Sequence, residues 1–193
     1  MKKKLLGMEK HESMKYNIKN LKAEQAQGIK RNFLFFWGHK PAKDGGITQS
    51  CLSQWWEQPF VVDDITYPTA EHWMMAGKAK VFKDEEMLAK ILASGHPHQA
   101  KKLGRQVRNF DYKIWKEHRY SVVLEGNLHK FRQQEDLKNY LINTKDSIMV
   151  EASPFDKTWG IGMAKDNPKA QNMDTWNGLN LLGFILMEVR DLL

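Results

Sequence analysis

The sequence predicts an α+β fold, predominantly α-helical, in a single domain with a few short strands. Three observations carry that prediction. The chain has 193 residues, 41% hydrophobic and 27% charged, an ordinary globular composition at the size of one domain. Helix start signals and helically spaced apolar residues fill most of 69–143 and return at 179–193. Strand-like runs are few and short, at 33–37, 60–67 and 148–152.

Residues 1–30 are polar and rich in Lys and Gln, and they read as a basic N-terminal extension, helical over about 12–27. The domain proper is expected to span 31–193. It opens on the aromatic run from Phe33 to Trp37, a buried strand closed by Gly38 and Pro41. Lys43-Asp44-Gly45-Gly46 is a turn. Val-Val, Asp-Asp and Ile-Thr-Tyr within 60–67 suit a short hairpin. Thr69 is the N-cap candidate for a helix running to about Phe82. Asp84 opens a second helix, to about Ala93, and His96-Pro97 a third, to about Leu103. Ile114, Trp115, Val122, Val123, Leu124 and Leu128 mark a long helix over 111–130, followed by a shorter one over 133–143. A strand over 148–152 precedes a loop at 153–177 that is rich in Gly, Pro, Asp and Asn. The chain closes on a helix over 179–193 that is apolar on most faces, hence buried.

Composition excludes several functions. No apolar run approaches the roughly 18 residues that cross a bilayer, and no apolar stretch follows the N-terminal lysines to make a secretory signal. A cytoplasmic protein with no membrane partner is the expectation. Cys51 is the single cysteine, so there is no intrachain disulfide and no paired-cysteine metal site. No HExxH occurs, so neither metal nor cofactor is expected. The formal net charge is +7. Residues 1–30 hold eight lysines against three glutamates, so +5 of it lies there. Such an arm can contact nucleic acid by counterion release, whereas the rest is nearly neutral and needs a local basic cluster to hold an anion.

Three groups of residues can carry chemistry. Glu71 lies in the first turn of its helix, where the dipole favours a carboxylate, and Lys78 is seven residues on, on the same face. A Glu and a Lys converging on one cleft suit acid–base or Schiff-base chemistry. The second group is Asp156, Trp159, Gly160 and Gly162 on the loop after the last strand. There an acid can hold ribose hydroxyls, an indole can stack a base, and glycines let backbone N–H groups approach phosphate. The third group, Lys101, Lys102, Arg105 and Arg108, can hold a phosphate or pyrophosphate. Trp115 lies on an apparent core face, while Trp55, Trp56, Trp159 and Trp176 fall in loops, where a ligand cleft would bury them.

These residues form an ordered pattern over 31–193 that resembles the YbiA-like, or NADAR, family. Leu52-Ser53-Gln54-Trp55 stands where that family has Leu-Ser-Asn-aromatic. Tyr67-Pro68-Thr69-Ala70-Glu71-His72-Trp73, with Lys78-Ala79 behind it, is similar to the family's Tyr-Pro-(Ser/Thr)-x-Glu-His-aromatic segment. Gly104-Arg105, Trp115 placed before Lys130-Phe131, Glu151 followed by Asp156-x-x-Trp159-Gly160-x-Gly162, and Gly178-x-Asn180-x-Leu182-Gly183 complete it. The resemblance implies a YbiA-like fold and hydrolysis of a C1′–N glycosidic bond between a (phospho)ribose and a nitrogenous base. Two substrate types follow from it: early phosphoribosylamino-pyrimidines of riboflavin biosynthesis, and ADP-ribose attached to guanine. A non-catalytic module binding ADP-ribose or NAD is the alternative. Carried over residue by residue, the resemblance implies catalytic roles for Glu71, Lys78 and Asp156. Substrate binding is expected of Trp115, Trp159, Gly160, Arg105, Asn180, Trp37 and Gly38. Glu71 is expected to stay ionised at its helix N-terminus and to stabilise charge at C1′ or activate water. Asp156 would orient the ribose or act as second carboxylate. Two roles are open to Lys78: charge partner of Glu71, or an amine that captures the opened sugar. Gln54 in place of Asn and the long 163–177 loop depart from the pattern.

Overall fold

A computed structural model describes residues 14–193; lysines 2, 3, 4 and 10 of the expected arm lie outside them. Seven α-helices and four strands are present among the described residues: α1 Ile18–Ala26, β1 Phe33–Phe36, β2 Phe60–Val62, β3 Ile65–Tyr67, α2 Ala70–Val81, α3 Glu85–Leu92, α4 Pro97–Gly104, α5 Tyr112–Gln133, α6 Glu135–Asn143, β4 Ile148–Glu151 and α7 Leu181–Asp191. The fold is therefore α+β and mostly helical, as the sequence predicts. Its helix starts are set by side-chain caps. Asn17, Thr69, Asp84, His96 and Asp111 each accept a backbone N–H from the first turn of α1, α2, α3, α4 and α5, satisfying donors that a helix cannot pair internally.

The strands make two small sheets. In the β2–β3 hairpin, Asp63 and Asp64 both take positive φ, 49° and 62°, the twist a two-residue turn needs to match its strands. β1 and β4 pair in parallel, Phe33 with Ile148 through Phe36 with Glu151. All the helices from α2 to α6 lie in the crossover between them. α7 packs on β4 so closely that a Cβ at Gly183 would collide with the Met149 carbonyl. Asn180, just before α7, completes that seam. Its left-handed backbone (φ 52°) turns its side chain onto β4, accepting the Glu151 N–H at 3.0 Å and donating to the Met149 carbonyl at 2.9 Å. The strand end carrying Glu151 is thus held on both edges.

α2 is the central helix, packed against α3, α4 and α5. α5 reaches the site through two buried polar links. Lys130 is wholly buried, and its Nζ donates to the Cys51 and Ser53 carbonyls at 2.6 and 2.9 Å. Asn127 exchanges side-chain amide bonds with Gln54 at 2.9 and 3.3 Å. Together they pin the short 3-10 turn Gln49–Leu52 and the segment behind it. Burial pulls the Lys130 ammonium down to about 8, because no carboxylate offsets its desolvation.

The expected helix over 12–27 begins later, at Ile18. Leu21 is buried, Tyr16 donates to Asp191 at 2.6 Å, and Lys22 pairs with Asp174, so α1 is docked on the C-terminal part of the chain. The 153–177 stretch holds two short 3-10 turns, Pro168–Gln171 and Met173–Thr175, where the sequence predicts only loop. No described helix is long and apolar enough to cross a membrane.

Candidate active site

A cavity of about 170 Å³ opens where the first turn of α2, the end of β4, the loop after it and one side of α4 meet. Glu71, Glu151 and Asp156 line it, with Lys78, Lys101 and Arg105 as the basic groups and Trp55 and Trp159 as the aromatic ones.

Glu71 is 2% exposed, and its Oε1 is buried without a hydrogen-bond partner. Its backbone N–H leaves the helix pattern and donates to the Gln54 carbonyl at 2.9 Å, tying α2 to the segment that Lys130 and Asn127 pin. Burial pushes its carboxyl up to about 7. Lys101 and a hydrogen bond from the Trp55 side chain oppose that shift, and the Asp156 charge adds to it. The expectation that Glu71 stays ionised at its helix N-terminus is thereby corrected. A helix dipole contributes about 0.3–1 kcal/mol, under one pK unit, whereas burial moves a carboxyl by up to about 3–5 units. Burial wins, and near neutrality Glu71 exists in both forms.

Glu151 also lines the cavity, and its Oε2 is buried without a hydrogen-bond partner. Its carboxyl is pushed up to about 8, by burial first and then by the Asp156 and Glu71 charges. Asp156 is presented differently. Ser153 Oγ accepts the Asp156 N–H at 3.2 Å, and Asp156 Oδ1 accepts the N–H groups of Thr158 and Trp159 at 2.8 and 2.7 Å. This self-capped turn fixes the side chain, and no described residue bonds its Oδ2.

Of the basic groups, Lys101 supplies the largest favourable charge felt by Glu71. Its ammonium lies 5.7 Å from the Trp55 ring. Lys78 lines the same cavity, but its charge is not among those that act on Glu71. Its Nζ donates to the Gly104 carbonyl at 2.7 Å and sits 4.1 Å from the Phe110 ring. As charge partner of Glu71, Lys78 is thus replaced by Lys101. Burial, with Arg105 nearby, lowers the Lys78 ammonium below its ordinary value. His39, His96 and His98 surround Trp55, with ring centroids at 5.4, 6.3 and 6.2 Å. Among the described residues no cluster of His, Cys, Asp or Glu is arranged to hold a metal ion.

Glu71, Lys78, Asp156, Arg105 and Trp159 therefore line one cavity. The other expected binding residues are not among those that line it. Trp115 is 8% exposed, inside the core on α5 and away from the lining. Asn180 is wholly buried and engaged with β4. At Gly160 a Cβ would crowd the Glu151 and Asp156 carbonyls, so its bareness serves the close fold of the loop. Trp37 is 56% exposed and pairs with Phe155 at 6.4 Å outside the cavity, and Gly38 follows it with φ 85°. Sequence reasoning gave no site role to Glu151, whose signal was a lone charge ending an apolar strand; it named Lys101 within the phosphate-holding group, Trp55 among the loop indoles and Gln54 as a departure from the family's Asn.

Residues 35–193 match the family model described as the NADAR domain. The chain is 38% identical over 164 residues to "N-glycosidase R617" of Acanthamoeba polyphaga mimivirus, covering 82% of this chain and 95% of that protein. It is 31% identical over 133 residues to "N-glycosidase YbiA" of Escherichia coli, covering 69% of this chain and 74% of that one. The solution NMR structure of the E. coli protein YbiA superposes with a TM-score of 0.67 at 27% identity, over 85% of this chain and 86% of that one. With relatives so named and carboxylates lining one cavity, the protein is an enzyme of the glycosyl hydrolase class. It belongs to the NADAR family, of YbiA-like fold.

Proposed function

We propose that this protein hydrolyses the C1′–N bond of a phosphoribosylated amino-pyrimidine. The observation that carries the reading is the unpartnered, buried Oε1 of Glu71, a residue of the cavity that Lys101 and Arg105 also line. A buried carboxyl without a partner is unfavourable for the free protein, and it becomes favourable opposite positive charge. Breaking a C1′–N bond creates such charge on the ribose as it approaches an oxocarbenium ion. Ionised Glu71 stabilises that charge and takes the proton of the attacking water.

The remaining groups bind and orient. Asp156 Oδ2 accepts from a ribose hydroxyl, its Oδ1 being engaged by the loop. Lys101 and Arg105 receive the phosphate. Trp159 and Trp55 pack the sugar and base. Lys78 works through the main chain, its bond to the Gly104 carbonyl fixing the turn that carries Arg105. A cavity of about 170 Å³ with two basic residues beside Lys78 suits a ribose carrying one phosphate. The activity needs no cofactor in this scheme.

The test is mass-spectrometric detection of base release by the full chain. A phosphoribosylamino-pyrimidine and an ADP-ribosyl-guanine oligonucleotide are incubated side by side. Release from the pyrimidine supports the reading. Release from the oligonucleotide alone would move the substrate to nucleic acid and give the N-terminal lysines a partner. Tight binding of ADP-ribose without cleavage of either would replace catalysis by a binding module.

A further inference from the structure

We infer that Glu151 is a further catalytic residue, the acid that gives its proton to the departing nitrogen. The inference rests on the N-glycosidase reading above and adds the group that reading lacks. An exocyclic amine leaves C1′ poorly as an anion, so its nitrogen must be protonated as the bond breaks. The donor has to be a protonated group inside the cavity, with an oxygen free to face the substrate.

Glu151 combines these features, and the other two carboxyls are fitted to other roles. Its backbone is locked between Phe36 of β1 and the Asn180 side chain, so the direction of the side chain is fixed. Its Oε2 is buried and unbonded. Asp156 has Oδ1 engaged by two N–H donors, the setting of an acceptor. Glu71 is favoured in its ionised form by Lys101, the Trp55 side chain and Arg105, whereas of these only Lys101 acts on Glu151.

The groups around Glu151 keep it neutral. Glu71 faces it from α2 and Asp156 from the following loop, both negative when ionised. Lys101 faces it from α4, and Lys78 and Arg105 line the same cavity from α2 and α4. α7 contributes the uncharged Leu182 and Asn180, and β1 the uncharged Phe36. Burial leads in raising both Glu151 and Glu71. The reacting form holds Glu71 ionised and Glu151 protonated, two roles for two carboxyls of one cavity.

The step balances. The C1′–N bond breaks with its electron pair on nitrogen, which takes the Glu151 proton. Water oxygen bonds to C1′ and its proton passes to Glu71. The products are the free amine and the ribose phosphate, and the two carboxyls return to their starting forms by proton exchange with solvent.

The experiment is the pH profile of kcat and KM for wild type, Glu151→Gln and Glu151→Asp on a phosphoribosylamino-pyrimidine. Wild type should lose kcat/KM above about pH 8 as the acid deprotonates. Glu151→Gln should lower kcat by about 10²–10⁴-fold, leave KM within about 3-fold and erase the alkaline limb. Glu151→Asp should keep that limb at a reduced kcat. Near-wild-type kcat in folded Glu151→Gln, or an alkaline limb that survives there, would overturn the inference while leaving the activity intact. Should Glu151→Gln not fold, a Glu151→Asp profile without the limb would overturn it equally. A wild type that releases no base from this substrate or from ADP-ribosyl guanine would overturn the N-glycosidase reading, and the role of Glu151 with it.

Discussion

Glu71 and Asp84 each sit at a helix start, and each is almost fully buried, at 2% and 3% exposure. Their surroundings send them in opposite directions. Asp84 caps α3 by accepting the Met87 N–H at 3.2 Å, and it takes the Arg108 N–H and guanidinium at 2.5–3.1 Å. Those bonds hold its carboxyl well below the ordinary range. Glu71 lies one step inside its helix, which Thr69 caps, and it keeps an unbonded oxygen, so burial drives it up to about 7. The difference separates two uses of a buried acid. One whose donors are all supplied by the protein is structural. One left short of donors awaits a ligand or a charge that the reaction creates.

The sharpest break of that comparison is to remove the charge at each helix start. Glu71→Gln should lower kcat by about 10³-fold or more, because the oxocarbenium-like transition state loses its counter-charge. The fold should survive with an unchanged or higher melting temperature, since an uncompensated buried acid has been removed. Base-release kinetics beside thermal melting check both halves. A folded variant with full activity would sink the assignment.

Lys101 is the next lever. Its charge is the largest influence favouring the ionised form of Glu71. Lys101→Met should cut kcat/KM by about 10–100-fold through the lost phosphate contact. It should also move the acid limb of the profile to higher pH, because a carboxylate without its cation holds its proton longer. An acid limb that stays in place would show that another group sets it.

Much of this contrast could be read from the chain, and the missing parts have a common cause. Thr69, Asp84, His96-Pro97 and Asp111 announce their helices locally, so α2 to α5 begin where caps place them. Glu71, Lys78, Asp156, Arg105 and Trp159 were found because their motifs stand in order. What the chain could not give was direction. Glu151 faces the cavity only because β4 pairs with β1 from the far end of the sequence and Asn180 grips its other edge. Trp115 and Asn180 sit within recognisable motifs, yet they pack the core and hold a strand. A motif marks a position as constrained without saying whether by ligand or by neighbour. The same limit hid the fates of Glu71 and Asp84, which differ through Arg108, Gln54 and Lys101, none of them a local signal.

Stability against pH carries the contrast in its sign. A carboxyl raised from 4.5 to about 7 binds its proton more tightly in the folded state. Its penalty begins as pH rises past the unfolded value and is complete above about 7, reaching about 3 kcal/mol for Glu71. Glu151, raised to about 8, acts in the same direction. Asp84, lowered, contributes stability above its unfolded value that is lost as pH falls below it. Melting temperature should therefore peak near pH 5 and fall toward pH 8. Glu71→Gln should flatten the alkaline fall and leave the acid fall alone.

The smallest effect belongs to Asp84→Asn, and it tests the other side of the comparison. Asparagine keeps the size of the side chain and one oxygen for the Met87 N–H, but it discards the charge that Arg108 meets from two directions. Arg108 is more than half exposed, so water compensates much of its loss. Melting temperature should drop by about 5 °C, and the acid-side fall in stability should weaken. Activity at neutral pH should stay within about 2-fold, because α3 contributes nothing to the cavity lining. A loss of kcat approaching that of Glu71→Gln would mean that satisfaction of donors does not separate structural from reactive acids here, and that α3 communicates with the site through its packing on α2 and α4.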